Sequence, residues 1–401
     1  MTSPLSYYLD SYKGFRKEVW IITLVSLINR AGTMVIPFLS LYLTGEVGLS
    51  FQEVGWVMSA FGLGSLVGSW AGGKLSDKLG FYPTMLWSMI TPGLLFFLLQ
   101  YVTSFMGFCV AIFLVMSVAD MFRPAMFVSL RAYSKPENRT RAVTLVRLAV
   151  NLGFSLGPAA GGLIIAKLGY LSLFWVDGIT CVLAGLVILF FLPKPEVEPV
   201  PDADAPPMKA LKDPLKDGPY LVFLFAVFLT GFVFLQCFSS IPLYYRDVHG
   251  LAEQPIGLLI GLNGFLIFLF EMPLIKFTED RKWKLTRILL ASSLMIGFSY
   301  VVLNTWQSSF ILVVSVLFLT LGEMLNFPIA NRIAMDRAEG GKIGGYMGLY
   351  TIAFSIAHIL GHNGGLMLIQ HFGYEFTWYF MGAAMLLAMS VIYYSSKKLL
   401  A

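Results

Sequence analysis

The chain has 401 residues, of which 57% are hydrophobic and only 13% charged, with mean hydropathy +0.75 and a formal net charge of +5. So few polar groups cannot cover so apolar a chain in water, which excludes a soluble globular protein and implies a polytopic α-helical membrane protein. Repeated apolar runs of about 20 residues favour helices over a barrel, whose strands are shorter and alternate in polarity.

Hydropathy predicts twelve spans, at 19–43, 53–73, 82–102, 106–130, 143–166, 171–192, 219–245, 254–275, 286–305, 309–332, 343–369 and 375–396. The first follows a charged N-terminus with no small-residue cleavage site, so it reads as a retained helix and not a signal peptide. Within it, SLINRAGTM places Asn29 and Arg30 well inside the apolar run. Between the second and third spans lies GGKLSDKLG, residues 72–80. There Gly73 permits close helix approach, and Asp77 is placed to cap the following helix or to pair with a base.

The fourth span contains VADMFRPAM, residues 118–126. Asp120 and Arg123, three apart, share one helix face, and Pro124 lets the helix bend. Counted at about 1.5 Å per residue, both fall near the bilayer midplane, as do Arg30 and Glu323. The fifth span carries Gly153, Gly157, Pro158, Gly161 and Gly162. Small residues four apart let backbones touch, and the proline removes a helical hydrogen bond; helix packing alone is the simpler reading. Asp177, near the start of the sixth span, suits capping or packing. Residues 193–218, rich in proline and acids, read as a cytoplasmic linker. The eighth span holds Glu271, and GEMLNFPIA at 322–330 in the tenth holds Glu323 and Asn326.

An isolated charge at mid-membrane costs at least about 2.5 kcal/mol, so these groups must face one another or a watery cavity. A static, fully paired network is the alternative to a transport site for Asp120 and Glu323. Aromatic residues along the first and seventh spans, including Phe38, Tyr42, Phe232, Phe234, Phe238 and Tyr244, suit amphipathic ligands or simple packing. Cys109, Cys181 and Cys237 all fall within spans and read as packed thiols.

Lysine and arginine gather in the N-terminus and alternate loops, for example at Lys74, Lys78, Arg131, Lys135, Arg281 and Lys282, whereas the opposite loops hold only Lys167 and Arg246. This bias predicts both termini in the cytoplasm. The chain also repeats. LGPAAGGLIIAKLGY at 156–170 matches LGHNGGLMLIQHFGY at 360–374, and at the same offset VADMFRPAM meets GEMLNFPIA, with Pro124 on Pro328. The expected organisation is a six-helix bundle over 1–192, the linker at 193–218, and a second bundle over 219–401.

Twelve spans, a parallel repeat and GGKLSDKLG, with Gly73, Asp77 and Gly80 in place, resemble the major facilitator superfamily. Phe81 and Tyr82 stand where that family usually carries two basic residues. The span-five glycine–proline run resembles the motif of its drug/proton antiporters. That resemblance implies spans one, four, seven and ten lining a central cavity, on which Arg30, Asp120, Arg123 and Glu323 converge. A weaker similarity, through NRAGTMVIPFLSLYLT, MFRPAMFVSL and GEMLNFP, is to proton-coupled peptide transporters. Their first-span arginine, fourth-span lysine and tenth-span glutamate would fall on Arg30, Arg123 and Glu323, although Asn29 replaces the acidic residues of the first-span motif.

The implied function is a proton-coupled secondary transporter working by alternating access and exporting hydrophobic or amphipathic compounds. The alternatives are a proton-coupled symporter of peptides or other anionic or zwitterionic solutes, and, in another class, a receptor or channel. No nucleotide-binding loop, metal cluster or nucleophile–base set appears, so neither an enzyme nor a cofactor is expected. The expected partners are a small-molecule substrate, protons and the lipid bilayer of the plasma (inner) membrane, with no nucleic acid and a monomeric chain.

Overall fold

The computed structural model describes residues 14–135, 139–194, 214–306, 308–338 and 343–399, and every regular element among them is a helix. Most of the linker expected at 193–218 lies outside the described residues, as do Lys13 and Lys342. Eleven helical stretches are long and apolar enough to cross a bilayer. The last, within Ile343–Leu399, contains two spans, because Gly373 (φ 80°, ψ 176°) leaves the helical region and divides it. Twelve spans result.

Gly80 (φ 92°) makes the same kind of division with a single residue between Phe51–Leu79 and Phe81–Leu99, in a conformation that a side chain would strain. The second span therefore runs past its apolar stretch to Leu79. Lys74, Asp77 and Lys78 keep helical backbone bonds while facing outward, so the hydropathy signal stops before the helix does. At its other end Ser50 and Glu53 form a capping box, in which the Ser50 amide donates to Glu53 Oε2 at 2.8 Å.

Three spans are broken. The first divides into Lys17–Ala31 and Val35–Gly45, leaving the Met34 and Val35 amides without helical acceptors. Asp177 of the sixth span accepts both, at 3.0 Å from Met34 N and 2.9 Å from Val35 N, and is itself 1% exposed. A carboxylate suits the positive end of the second half-helix, so Asp177 has the expected capping role but is buried, not near the boundary. The seventh span breaks at the matching point of the repeat, between Gly218–Phe234 and Ser240–Asp247, through a 3-10 turn over Leu235–Phe238. Its stitching is neutral: buried Gln236 donates to the carbonyls of Phe232 at 2.9 Å and Gly361 at 2.7 Å, and accepts from Ser240. The fourth span breaks between Ala119 and Phe122, whereas the tenth continues over Phe310–Ala338 with Pro328 inside it.

Pairings within the two halves correspond: spans one with five and seven with eleven, two with four and eight with ten, three with six and nine with twelve. Between halves, span five packs on eight and span two on eleven. Trp70, Trp87, Phe190 and Phe191 are among many large apolar side chains turned outward, as a lipid-facing surface requires. At the end of the bundle away from the chain termini the halves are bridged by polar contacts. Tyr170 donates to Glu253 at 2.8 Å, Arg246 to Thr44 at 2.9 Å, and the Gln52 amide to Gln370 at 2.8 Å. Near the terminal end, a methyl added at Gly73 or Gly348 would meet nothing within 4 Å. The halves are thus closed together at the far end.

Candidate functional site

Arg30 stands at the last turn before the break in span one, where its guanidinium carbon lies 5.2 Å from the centre of the Phe154 ring of span five. The face of an aromatic ring attracts a cation and adds to the through-space attraction of Asp120. The approach is possible because of Gly153, where an added Cβ would fall 2.6 Å from Arg30 Cβ. Gly157 and Gly161 continue the contact, at 3.1 Å from Ala31 O and 3.0 Å from the Phe38 ring, and Gly162 meets Glu253 O at 2.4 Å. The span-five glycines are therefore points of helix contact, the first three on span one and Gly162 on span eight. Asn29 turns away to span six, donating to Cys181 Sγ at 3.7 Å.

Asp120 accepts a hydrogen bond from Ser65 of span two. Among the described residues it forms no ion pair with Arg30, and Arg123 is exposed with no ion pair either. Arg30 and Asp120 thus differ in direct contacts, on Phe154 and on Ser65, while Asp120 and Arg123 still act on Arg30 through space. The break in span four explains a shift by one glycine in span two. Gly72, not Gly73, makes the close approach, with an added Cβ 2.5 Å from Met121 Cα and 2.9 Å from the Pro124 ring. Asp77 is exposed and caps nothing: the helix continues through it, and the N-cap position of span three is Gly80, without a side-chain bond.

The acids of the second half are differently placed. Glu271, 7% exposed, is paired with Arg147 of span five and lies 3.4 Å from Asn151 Nδ2. Arg147 itself is 49% exposed at its side chain, so the pair has one dry and one open member. Glu323 accepts from Asn263 of span eight at 2.9 Å, and Asn263 also lies 3.0 Å from Thr320 Oγ1. Among the described residues Glu323 has no ion pair. Asn263, Ile267 and Glu271 succeed one another at four-residue intervals, so one face of span eight carries both the partner of Glu323 and the second acid. Asn326 donates to Ser292 of span nine at 2.9 Å and is 3% exposed, which makes it a packing contact. Arg147 was visible in the sequence as a cation within an apolar run. Its pairing with a residue 124 positions away had no local signal.

On the outer face, an apolar groove of about 520 Å³ runs between spans eight and ten, lined by the exposed Phe270, Phe277, Leu317 and Leu321, with Thr320 in its wall.

Comparison with known proteins agrees with this architecture. A transporter described as an uncharacterized MFS-type transporter, YqjV of Bacillus subtilis, is 26% identical over 91% of this chain and 89% of its own length. The multidrug resistance protein MdtH of Aeromonas hydrophila is 24% identical over 86% of each chain. The crystal structure of a POT family transporter in complex with a thioalcohol-conjugated peptide superposes with TM-score 0.81 at 15% identity, covering 97% of this chain and 98% of that one. The signature of the Major Facilitator Superfamily matches residues 19–362. With its twelve spans and paired halves, the chain belongs to that superfamily and is an integral membrane transporter, not an enzyme.

Proposed function

We propose that the chain is a proton-coupled exporter of hydrophobic or amphipathic compounds, in which two bundles, 1–192 and 219–401, rock about a site on spans eight and ten. The observation that carries this reading is the setting of Glu323: a carboxyl within a span, held by the neutral amide of Asn263 and by no base among the described residues. Such a carboxyl gains or loses a proton without breaking an ion pair. Protonation removes a charge from the span, and that change in cost can be traded against movement of the halves. The Arg147–Glu271 pair sits further along the same face of span eight and crosses between the halves. When Glu323 is neutral, this pair can hold spans five and eight together; when Glu323 is charged, it offers the nearby arginine a competing partner.

The likeness to a multidrug resistance protein supports a lipophilic cargo. A second reading, symport of peptides or other zwitterionic solutes, is favoured by Arg30 and Arg123, two cations without ion pairs among the described residues, and by the likeness to a peptide-bound POT family structure. Both readings place the termini in the cytoplasm of the inner membrane and use a monomeric chain.

Purified protein in liposomes with an imposed pH gradient tests the proposal. Glu323→Gln is expected to abolish gradient-driven transport of a cationic dye while leaving counterflow measurable. Gradient-driven transport at the wild-type rate would reject Glu323 as the coupling acid. Dipeptide-driven proton uptake without dye transport would select the second reading.

A further inference from the structure

Two histidines one helical turn apart, His358 and His362 of span eleven, take no part in the site above. Their rings lie 4.9 Å apart, and Phe61 of span two stacks on His358 at 4.6 Å. His362 is 0% exposed, and its Nδ1 is 2.9 Å from Oγ of Ser239, the residue at the break in span seven. The other nitrogen, Nε2, is buried without a hydrogen-bond partner, and so is Nδ1 of His358, which lies 2.7 Å from a methyl added at Gly62. The pair therefore touches three moving parts: span two of one half, and the broken span seven and span eleven of the other.

Among the described residues no charged group faces it. Span two presents Phe61 and Gly62, span seven presents Ser239 and Gln236, and span eleven adds Asn363; among the described residues neither ring forms an ion pair. An imidazolium in this dry seam would lack both counter-ion and water, so these contacts suit two neutral rings. In either tautomer Nε2 of His362 is left without a partner; in the one whose Nδ1–H donates to Ser239 it is a bare basic nitrogen, an unsatisfied buried acceptor. A packing role would be served as well by an apolar side chain. The basic nitrogen matters only when the seam opens.

We propose that the His358–His362 pair is a second proton-binding site, filled when spans two and eleven part at the far end and emptied before they close. Separation of the halves there would admit water to the rings, and one imidazole would take up a proton. The pair would then oppose reclosure until that proton leaves, because closure would strip its water and supply no anion. The site thus binds a proton from the side to which the far end opens, distinct from Glu323 in span ten. It rests on proton-coupled transport but not on Glu323 being the coupling acid.

The direct test follows exchange of the C2 hydrogen of each histidine by mass spectrometry, in wild-type protein in liposomes, as pH is varied through about 5 to 8, the range of histidine. Both rings should be protected at the alkaline end, with at least one showing a titration step on acidification. Rings that stay protected and untitrated throughout would overturn the proposal. A second measurement uses spin labels at Tyr101→Cys and Trp306→Cys, exposed residues at the far end of opposite halves. Acid should raise the long-distance population, Glu323→Gln should retain that shift, and His358→Gln with His362→Gln should lose it. An unchanged shift in the double histidine variant would also overturn the proposal. Loss of gradient-driven transport in Glu323→Gln tests the coupling acid alone and leaves the exchange result standing.

Discussion

Along spans five and eight the two halves meet backbone to backbone, and the seam ends in an ion pair. Added methyl groups at Gly257, Gly261 and Gly264 would fall 2.2 Å from Pro158 O, 2.6 Å from Ser155 O and 2.8 Å from Ser155 N, and Arg147 then reaches Glu271. Along spans two and eleven the contact is looser and neutral. A methyl added at Gly55 would fall 3.0 Å from Asn363 Cα, Ser59 donates to Ile359 O at 2.6 Å, and the two histidines fill the rest. The repeat aligns Pro158 of one seam with His362 of the other. Proline removes one helical hydrogen bond and adds no polar side chain, whereas histidine keeps the helix bonded and adds a titratable ring. One seam is thus built as a close pivot and the other as a contact that solvent chemistry can change.

The largest effect is expected from crowding the close seam. Gly257→Leu drives a branched side chain into the Pro158 carbonyl, and neither backbone can yield without parting the spans. Transport should be lost with normal membrane insertion. Gly62→Ala, which first meets a side-chain ring at 2.7 Å, should retain more activity than Gly257→Ala, whose methyl meets backbone at 2.2 Å. Equal losses in the two alanine variants, read as initial rates in liposomes, would erase the distinction between the seams. Gly157→Leu and Gly161→Leu, which crowd span one instead, should also lose transport.

Breaking the ion pair comes next. Arg147→Gln leaves a buried carboxylate, which for a fully dry pair costs about 3–5 kcal/mol. Because Arg147 is half open to solvent, the expected loss is smaller, about 1–2 kcal/mol. Adding Glu271→Gln should recover most of it in a double-mutant cycle on thermal stability in detergent. Additive losses would show that the pair does not bind the halves.

A pH effect is expected where spans seven, ten and eleven meet. Asp217, just before span seven, accepts from Arg337 of span ten at 2.8 Å and from Tyr346 of span eleven at 2.9 Å. Burial alone would push its carboxyl up, but the bonds from Arg337, Tyr346 and the Tyr220 amide outweigh burial and hold it below the ordinary value. A carboxyl lowered on folding stabilises the protein above its unfolded value of about 3.9 and loses that contribution as pH falls through the folded value. Asp217→Asn should therefore cost about 1–3 kcal/mol at neutral pH and progressively less in strong acid. Melting curves of wild type and variant that stay parallel down to the acid limit would count against this linkage.

The smallest change is at Ser59. Ser59→Ala removes the bond to Ile359 O and should cost about 1 kcal/mol or less, with transport retained. A loss as large as that of Gly257→Leu would mean that the second seam is as tightly specified as the first.

The number of spans, the repeat and the intramembrane charges follow from hydropathy and spacing, because the bilayer imposes one simple rule on every residue along a helix. Asp177 could be read as a cap, and the span-five glycines as contacts, since small residues and helix ends have local signatures. What each charge meets had no such signature. Arg30 and Asp120 share a depth, yet one rests on Phe154 and the other on Ser65. Glu271 takes an arginine from the opposite half, and Glu323 takes an amide from the next helix but one in the chain. Depth is a property of position along a single helix, which sequence records. Partnership depends on how each helix is rotated and where it breaks, and those are decided by the packing of twelve helices against one another.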